Sequence, residues 1–141
     1  MIGTVRTFDE SIRDTIEEEL TRRSQGIAAA YGIKAETVYE RRVSAVNNDP
    51  ELTKDAKEAA DRCFGAQNVI ELAEPYMISE DFSSYQKVLP GCFFFIGVKD
   101  RRHKEALHSP YFDFNDKVLI PAGAFFSYLA LERLTTLSCQ P

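Results

Sequence analysis

The sequence predicts an α/β protein, and three observations carry that expectation. A β-α-β unit opens the chain, helix-period and strand-period stretches alternate after residue 48, and the apolar run Cys92 to Val98 suits a strand covered on both faces. With 141 residues, the chain has the length of one ordinary domain able to bury a core.

Ile2 to Phe8 alternates as a strand almost from the first residue, so the sequence reads as a piece of something longer. Asp9 or Ser11 then caps a helix whose first turns carry acidic residues, where the helix dipole favours them. Ile12, Ile16 and Leu20 repeat at four-residue spacing, Ile27 and Tyr31 continue that face, and Gly32 ends it as a left-handed cap. Ile33 to Val43 is a second strand, with Ile33, Ala35, Thr37, Tyr39 and Arg41 on one face and a largely polar face opposite. Two strands alone are marginally stable, so this unit calls for more strands.

Asn47-Asn48-Asp49-Pro50 is a break and sets the module boundary, giving modules 1–46 and 47–141. Asp49 as N-cap and Pro50 at the first helical position start the next helix. Leu52, Ala56, Ala59, Ala60 and Cys63 form its buried face, and Gly65 stops it. Asn68 to Ala73 reads as a short strand. Ser79 caps a short helix to about Lys87, with Phe82 and Tyr85 on one side. Leu89-Pro90-Gly91 turns into the apolar strand, and Pro121 to about Leu137 is a last helix with Phe125, Leu129 and also Phe126 as inward candidates.

Composition excludes several classes. A net charge of -5 argues against a nucleic-acid binder, and the basic stretch Lys99 to Lys104 is broken by Asp100 and holds no aromatic for base stacking. No unbroken apolar run approaches the roughly 18 residues of a membrane span. Cys63, Cys92 and Cys139 form neither a metal pattern nor a disulfide framework; Cys63 and Cys92 read as small core residues, and a reducing, cytoplasmic setting follows.

Few side chains suggest chemistry. His108 lies just past the apolar strand, placed to coordinate a metal or move a proton, with Asp113 and Asp116 near enough to orient its ring; the alternative is a loop histidine bonded to backbone. His103 reads as solvated. Ser79-Glu80-Asp81-Phe82 is a dipole-complementing first turn, or a helix start that receives an anion from substrate. Arg6 is a surface cation or a fork for a carboxylate, and Asn48 is a turn residue or an amide that contacts substrate. There is no HExxH, glycine-rich phosphate loop or GxSxG elbow.

Read in order, Gly3-Thr4-Val5-Arg6-Thr7-Phe8, Asn48-Asp49-Pro50, Ser79-Glu80-Asp81-Phe82, Gly91-Cys92-Phe93-Phe94-Phe95-Ile96-Gly97 and His108-Ser109-Pro110-Tyr111-Phe112-Asp113 give the chain a family likeness. It resembles the metal-dependent amidohydrolases and aminoacylases, including hippurate hydrolases, indole-acetyl-amino-acid hydrolases and carboxypeptidase-like enzymes. The resemblance spans essentially the whole chain and implies members about 2.5 to 3 times as long. It implies a β-α-β piece of an α+β lid and dimerisation domain, followed by the closing α/β layers of a zinc-exopeptidase-like catalytic domain. It further implies two divalent ions (zinc, manganese, cobalt or nickel), which activate a water and polarise the scissile amide, with a Glu as general base. Their other ligands, in Cys-x-His, Glu-Glu and further His motifs, have no match here. His108 would then be the one metal ligand, and Arg6, Asn48, Ile78 and Ser79 would belong to the substrate-binding set. The implied substrate is an N-acyl amino acid or small peptide, the implied assembly a homodimer through the lid, and this chain alone is expected to be inactive. Two departures stand out: Ile78 replaces a small residue, and Asn115-Asp116 has one charge fewer than the usual acidic pair. The other reading is a non-enzymatic interaction module that pairs its bare strand edge with a partner.

Overall fold

A computed structural model describes residues 1–138, with side chains described up to residue 135; Cys139 lies outside the described residues. The regular elements are α1 (Glu10–Ala30), α2 (Pro50–Phe64), the single turn α3 (Ser83–Gln86) and α4 (Leu119–Ser138), with short 3-10 turns at Ala66–Asn68 and Asp116–Val118. No β-ladder forms among the described residues, so the expected strands at 2–8, 33–43, 68–73 and 92–98 stand unpaired and the described regular structure is helical. The chain divides into two compact units, Met1–Asn48 with Leu72–Gly91, and Asp49–Glu71 with Cys92–Pro141. The sequence suggested one cut after residue 46; here the segment Leu72–Gly91 returns to the first unit.

In the first unit Asp9 caps α1, its carboxylate accepting from the Ser11 and Ile12 N–H groups. Gly32, at φ 66°, closes the other end, its N–H reaching Ala29 and the Ile33 N–H reaching Ala28. The covered face of α1 differs from the expected one. Ala28 is buried and Ile16 and Ser24 are half-buried, whereas Ile12, Leu20, Ile27 and Tyr31 are exposed. What lies against α1 is segment 35–41: the Ser24 and Thr37 hydroxyls bond at 2.6 Å, and Arg41 pairs with both Asp14 and Glu17. That contact uses the polar side of the helix, which leaves most of the apolar stripe, Ile16 excepted, exposed. Ala35, Thr37 and Tyr39 are half-buried while their neighbours are exposed, so the expected two-residue alternation is present without a ladder. A ladder needs a second backbone in register, and here a helix takes that place.

In the second unit Asp49 caps α2 through the Leu52 N–H, Pro50 fills the first position, and Gly65 ends the helix at φ 81°. Ala59 is fully buried and Leu52, Ala56 and Ala60 are half-buried as expected, but Cys63 is exposed. Phe125 of α4 is the core, 3% exposed, with its ring 5.1 Å from Phe64 and 5.4 Å from Phe94. Leu129 is half-buried, while Phe126 keeps contact with Phe94 yet remains exposed. In the run 92–98, Phe94 faces α4 and is half-buried, as is Phe93, whereas Phe95 is half in solvent. Polar contacts complete the α2–α4 seam, with Arg62 holding Tyr128 and Glu132 and Arg133 holding Asp55. The stretch Asp116–Thr135 is long and apolar enough, by length and composition, to cross a membrane, although no unbroken apolar run in it is. Its polar side chains bonded to α2 explain why it serves as a layer of this unit.

Candidate functional site

Two groups of the singled-out residues can be built up separately, one in each unit. In the first unit the guanidinium of Arg6 donates to the Ser79 hydroxyl at 2.5 Å, across 73 residues of sequence. Two motifs far apart in the chain thus meet through their polar side chains. Arginine carries five N–H donors and one goes to Ser79, so the planar fork retains capacity for a carboxylate. Ser79 is not a helix cap as expected: α3 begins later, after Phe82, with no side-chain cap, so the Tyr76–Ser79 backbone is not a helix start. Ile78 is exposed and its N–H turns back to the Tyr76 carbonyl at 2.9 Å, a tight three-residue turn.

Asn48 of the same unit is half-buried at the foot of the Asn-Asn-Asp-Pro break. Its side-chain oxygen accepts from Gln86 of α3 at 3.4 Å, and Gln86 also binds the Asn47 backbone N–H and the Gly91 carbonyl, both at 3.0 Å. Nothing in the sequence marks Gln86, one polar residue in a short surface turn. Its importance comes from contacts about 40 residues away, which no local periodicity encodes.

In the second unit His108 sits in a turn closed by the Ser109 N–H on the Ala106 carbonyl at 3.1 Å. It is the one non-glycine residue with positive φ among the described residues, at 68°. That is the third-residue conformation of a type II turn, which normally takes glycine, so a histidine there is strained by about 1–3 kcal/mol. Its side chain is exposed and makes no hydrogen bond among the described residues, which removes the reading of a histidine held by backbone. Neither Asp113 nor Asp116 reaches it: both are exposed, and the Asp113 carboxylate lies 3.6 Å from Nε2 of His103 instead.

His103 is the correction here. Rather than solvated, its side chain is only 16% exposed and donates through Nδ1 to Asp100 at 2.8 Å. Asp100 organises the whole loop, accepting also from the Arg102 and His103 N–H groups and from the Asn115 amide at 3.3 Å. The His103 N–H, then the Arg102 N–H, then the His103 ring hold its carboxyl far below the usual carboxylate range. Asn115 is 6% exposed, and an acid in its place would press a second carboxylate against Asp100. That accounts physically for the missing charge in the Asn115-Asp116 pair. A depressed folded pKa makes Asp100 stabilising above its unfolded value of about 3.9 and progressively less so as pH falls below it. Urea midpoints across pH 2–7 are expected to show an acid-side slope that Asp100→Asn reduces, while the two proteins converge at the lowest pH; parallel curves would contradict this.

A metal centre requires three or four protein donors. No group of three or more His, Cys, Asp or Glu side chains that could hold an ion occurs among the described residues, and His108 is a single imidazole. The described residues therefore do not by themselves fit a dinuclear centre.

Comparison with known proteins bears on the chain as a whole. Residues 4–132 match the sequence profile of peptidase family M20/M25/M40. The chain is 37% identical over 137 residues to an N-acetylcysteine deacetylase of Bacillus subtilis, covering 97% of this chain and 34% of that protein. It is 35% identical over 133 residues to YhaA of the same organism, a protein bearing an amidohydrolase name, covering 93% of this chain and 33% of that one. Among solved structures it superposes on the Bacillus subtilis YXEP protein, described as a dinuclear metal-binding peptidase of the M20 family. The TM-score is 0.78 at 35% identity, over 95% of this chain and 36% of the other. The chain thus spans about a third of the length of the relatives it matches.

Proposed function

The chain belongs to peptidase family M20/M25/M40, and from that premise we propose that it supplies the C-terminal third of a metal-dependent amidohydrolase cleaving N-acyl amino acids. The observation that carries the reading is the Arg6–Ser79 bond, which joins two separated motifs into one polar surface of the first unit. N-acyl amino acids of the hippurate or N-acetyl type end in a carboxylate. A guanidinium fork matches that group bidentately, and the neighbouring Ser79 hydroxyl restricts the fork's rotation. Asn48 adds an amide to the same unit, and Ile78 narrows the space beside Ser79 and so favours smaller substrate side chains. His108 is assigned as the chain's single donor to a divalent ion (zinc, manganese, cobalt or nickel), its strained turn holding the imidazole out toward solvent. Asp113 and Asp116 stand too far from that ring in the present geometry to be given an orienting role. The unpaired segments 2–8, 33–43 and 92–98 are read as strands of α/β layers, and the exposed apolar stripe of α1 as part of a homodimer contact through the lid. A reducing cytoplasmic setting, with neither nucleic acid nor membrane as partner, completes the proposal.

The test has two arms. The purified chain, given zinc, cobalt or manganese with hippurate or N-acetylcysteine, is expected to show no turnover above that of free metal. A full-length M20 hydrolase carrying this chain as its C-terminal third is expected to turn over. In that enzyme Arg6→Lys is expected to raise KM by about 10- to 100-fold with kcat little changed, because a point ammonium cannot replace the two-pronged contact. Ordinary enzymatic rates from the isolated chain, or an unchanged KM in the Lys variant, would overturn it.

A further inference from the structure

His103 meets a carboxylate on each side of its ring. Nδ1 lies 2.8 Å from Oδ1 of Asp100, and Nε2 lies 3.6 Å from the carboxylate of the exposed Asp113. The two contacts differ in kind. Asp100 also accepts from the His103 N–H at 2.9 Å and the Arg102 N–H at 2.7 Å, and these donors keep its carboxyl ionised far below neutral pH. An ionised carboxylate can only accept, so the ring must keep a proton on Nδ1. In the neutral ring Nε2 is then a lone pair facing a second acceptor, and no hydrogen bond can form there. A proton on Nε2 turns the same approach into an ion pair, which the exposed Asp113 side chain can tighten to hydrogen-bond length by moving about 1 Å.

The chain between the partners is a single excursion. It leaves at His103, passes turns closed by the Ser109 N–H on Ala106 and the Phe112 N–H on Ser109, both at 3.1 Å, and returns at Asp113. Its base is joined by the Asn115 amide on Asp100 at 3.3 Å, a contact that needs no proton on the ring. Of the other charged side chains nearby, Arg101, Arg102, Lys104 and Glu105 in the loop and Asp116 and Lys117 in the 3-10 turn beside it are all exposed.

We infer that His103 is a pH-dependent latch: the protonated ring bridges Asp100 and Asp113 and closes the loop that carries the His108 turn, whereas the neutral ring holds Asp100 alone. The latch is shut on the acid side of the His103 titration, as long as Asp113 stays ionised, and open on the alkaline side. It belongs to this chain's own loop and does not depend on the hydrolase reading.

The chain has two histidines, so NMR on the intact chain can follow both rings through a pH titration. On the alkaline side, the ring nitrogen shifts are expected to place the His103 proton on Nδ1. Asp113→Asn keeps the shape and removes the charge, and Asp116→Asn removes an exposed charge from the neighbouring turn. An exposed ion pair is expected to tighten proton binding by His103 about two- to fivefold, a factor lost in Asp113→Asn and kept in Asp116→Asn. With intrinsic rates divided out, the Ser109 and Phe112 amides are expected to exchange about two- to fivefold more slowly below the His103 midpoint than above it, a step that Asp113→Asn abolishes. A neutral His103 carrying its proton on Nε2, an Asp113→Asn titration that matches Asp116→Asn, or amide exchange with no step at the His103 midpoint would each overturn the latch.

Discussion

Phe125→Ala is expected to lower the unfolding free energy of the second unit by about 3–5 kcal/mol. Among the described residues Phe125 is the only large apolar side chain that is buried, the other buried residues being Ala28, Ala59, Ser83 and Asn115. Its ring meets Phe64 of α2, Phe94 of the apolar run and, at 6.3 Å, Phe126 of its own helix. Truncation to a methyl group would remove a side chain that α2, α4 and segment 92–98 share, leaving a gap that these elements can close only by moving. Ordinary domains are stable by about 5–15 kcal/mol in all, so a loss of this size leaves little. Two controls fix the interpretation. Phe125→Leu, which fills most of the space, should cost less than about 1.5 kcal/mol, and Phe126→Ala, on an exposed residue, still less. The chain has no tryptophan, so far-UV circular dichroism in urea is the measurement. A Phe125→Ala midpoint indistinguishable from that of Phe126→Ala would refute this account of the core.

Local signals were legible in the sequence wherever one residue type answers one backbone need. Asp49 and Pro50 start α2, Asp9 starts α1, and Gly32 and Gly65 end the helices in the left-handed region, each as its chemistry requires. Phe125 and Leu129 were legible because apolar period and burial coincide on α4. The strands were not, because alternation reports which residues face inward and says nothing about what pairs with the backbone. Residues 35–39 alternate in burial yet lie along α1. The covered face of α1 was misjudged for a related reason: hydrophobic period marks the stripe that wants cover, while Arg41 and Thr37 chose the polar side. At the site, Arg6 and Ser79 came out of motifs, and their meeting came only from coordinates. Asp100, His103 and Gln86 escaped because a charged loop and a surface turn look solvated until distant partners such as Asn115 and Asn47 are in place.

Replacing His108 with asparagine is expected to leave the stability of this chain within about 0.5 kcal/mol of wild type. The same change should lower the activity of a full-length hydrolase carrying the chain by at least about 100-fold, the upper range seen even for groups that only support a metal ligand. The two halves have different causes. The His108 ring is exposed and has no hydrogen-bond partner among the described residues, so little folded-state contact is lost with it. Its backbone is the costly part, at φ 68°, and asparagine is among the few residues that visit that region readily. His108→Val, which keeps bulk but is branched at Cβ, should instead lose about 1–3 kcal/mol through backbone strain alone. A histidine kept for folding would behave in the reverse way, with Asn and Val both destabilising and activity following stability. A histidine kept for coordination has a side chain that is dispensable to the fold and a backbone that pays for its placement. Thermal unfolding of the three proteins, set beside turnover of N-acetylcysteine by the assembled enzyme, separates these cases. Activity within threefold of wild type in a stable Asn variant would remove His108 from the metal-binding assignment.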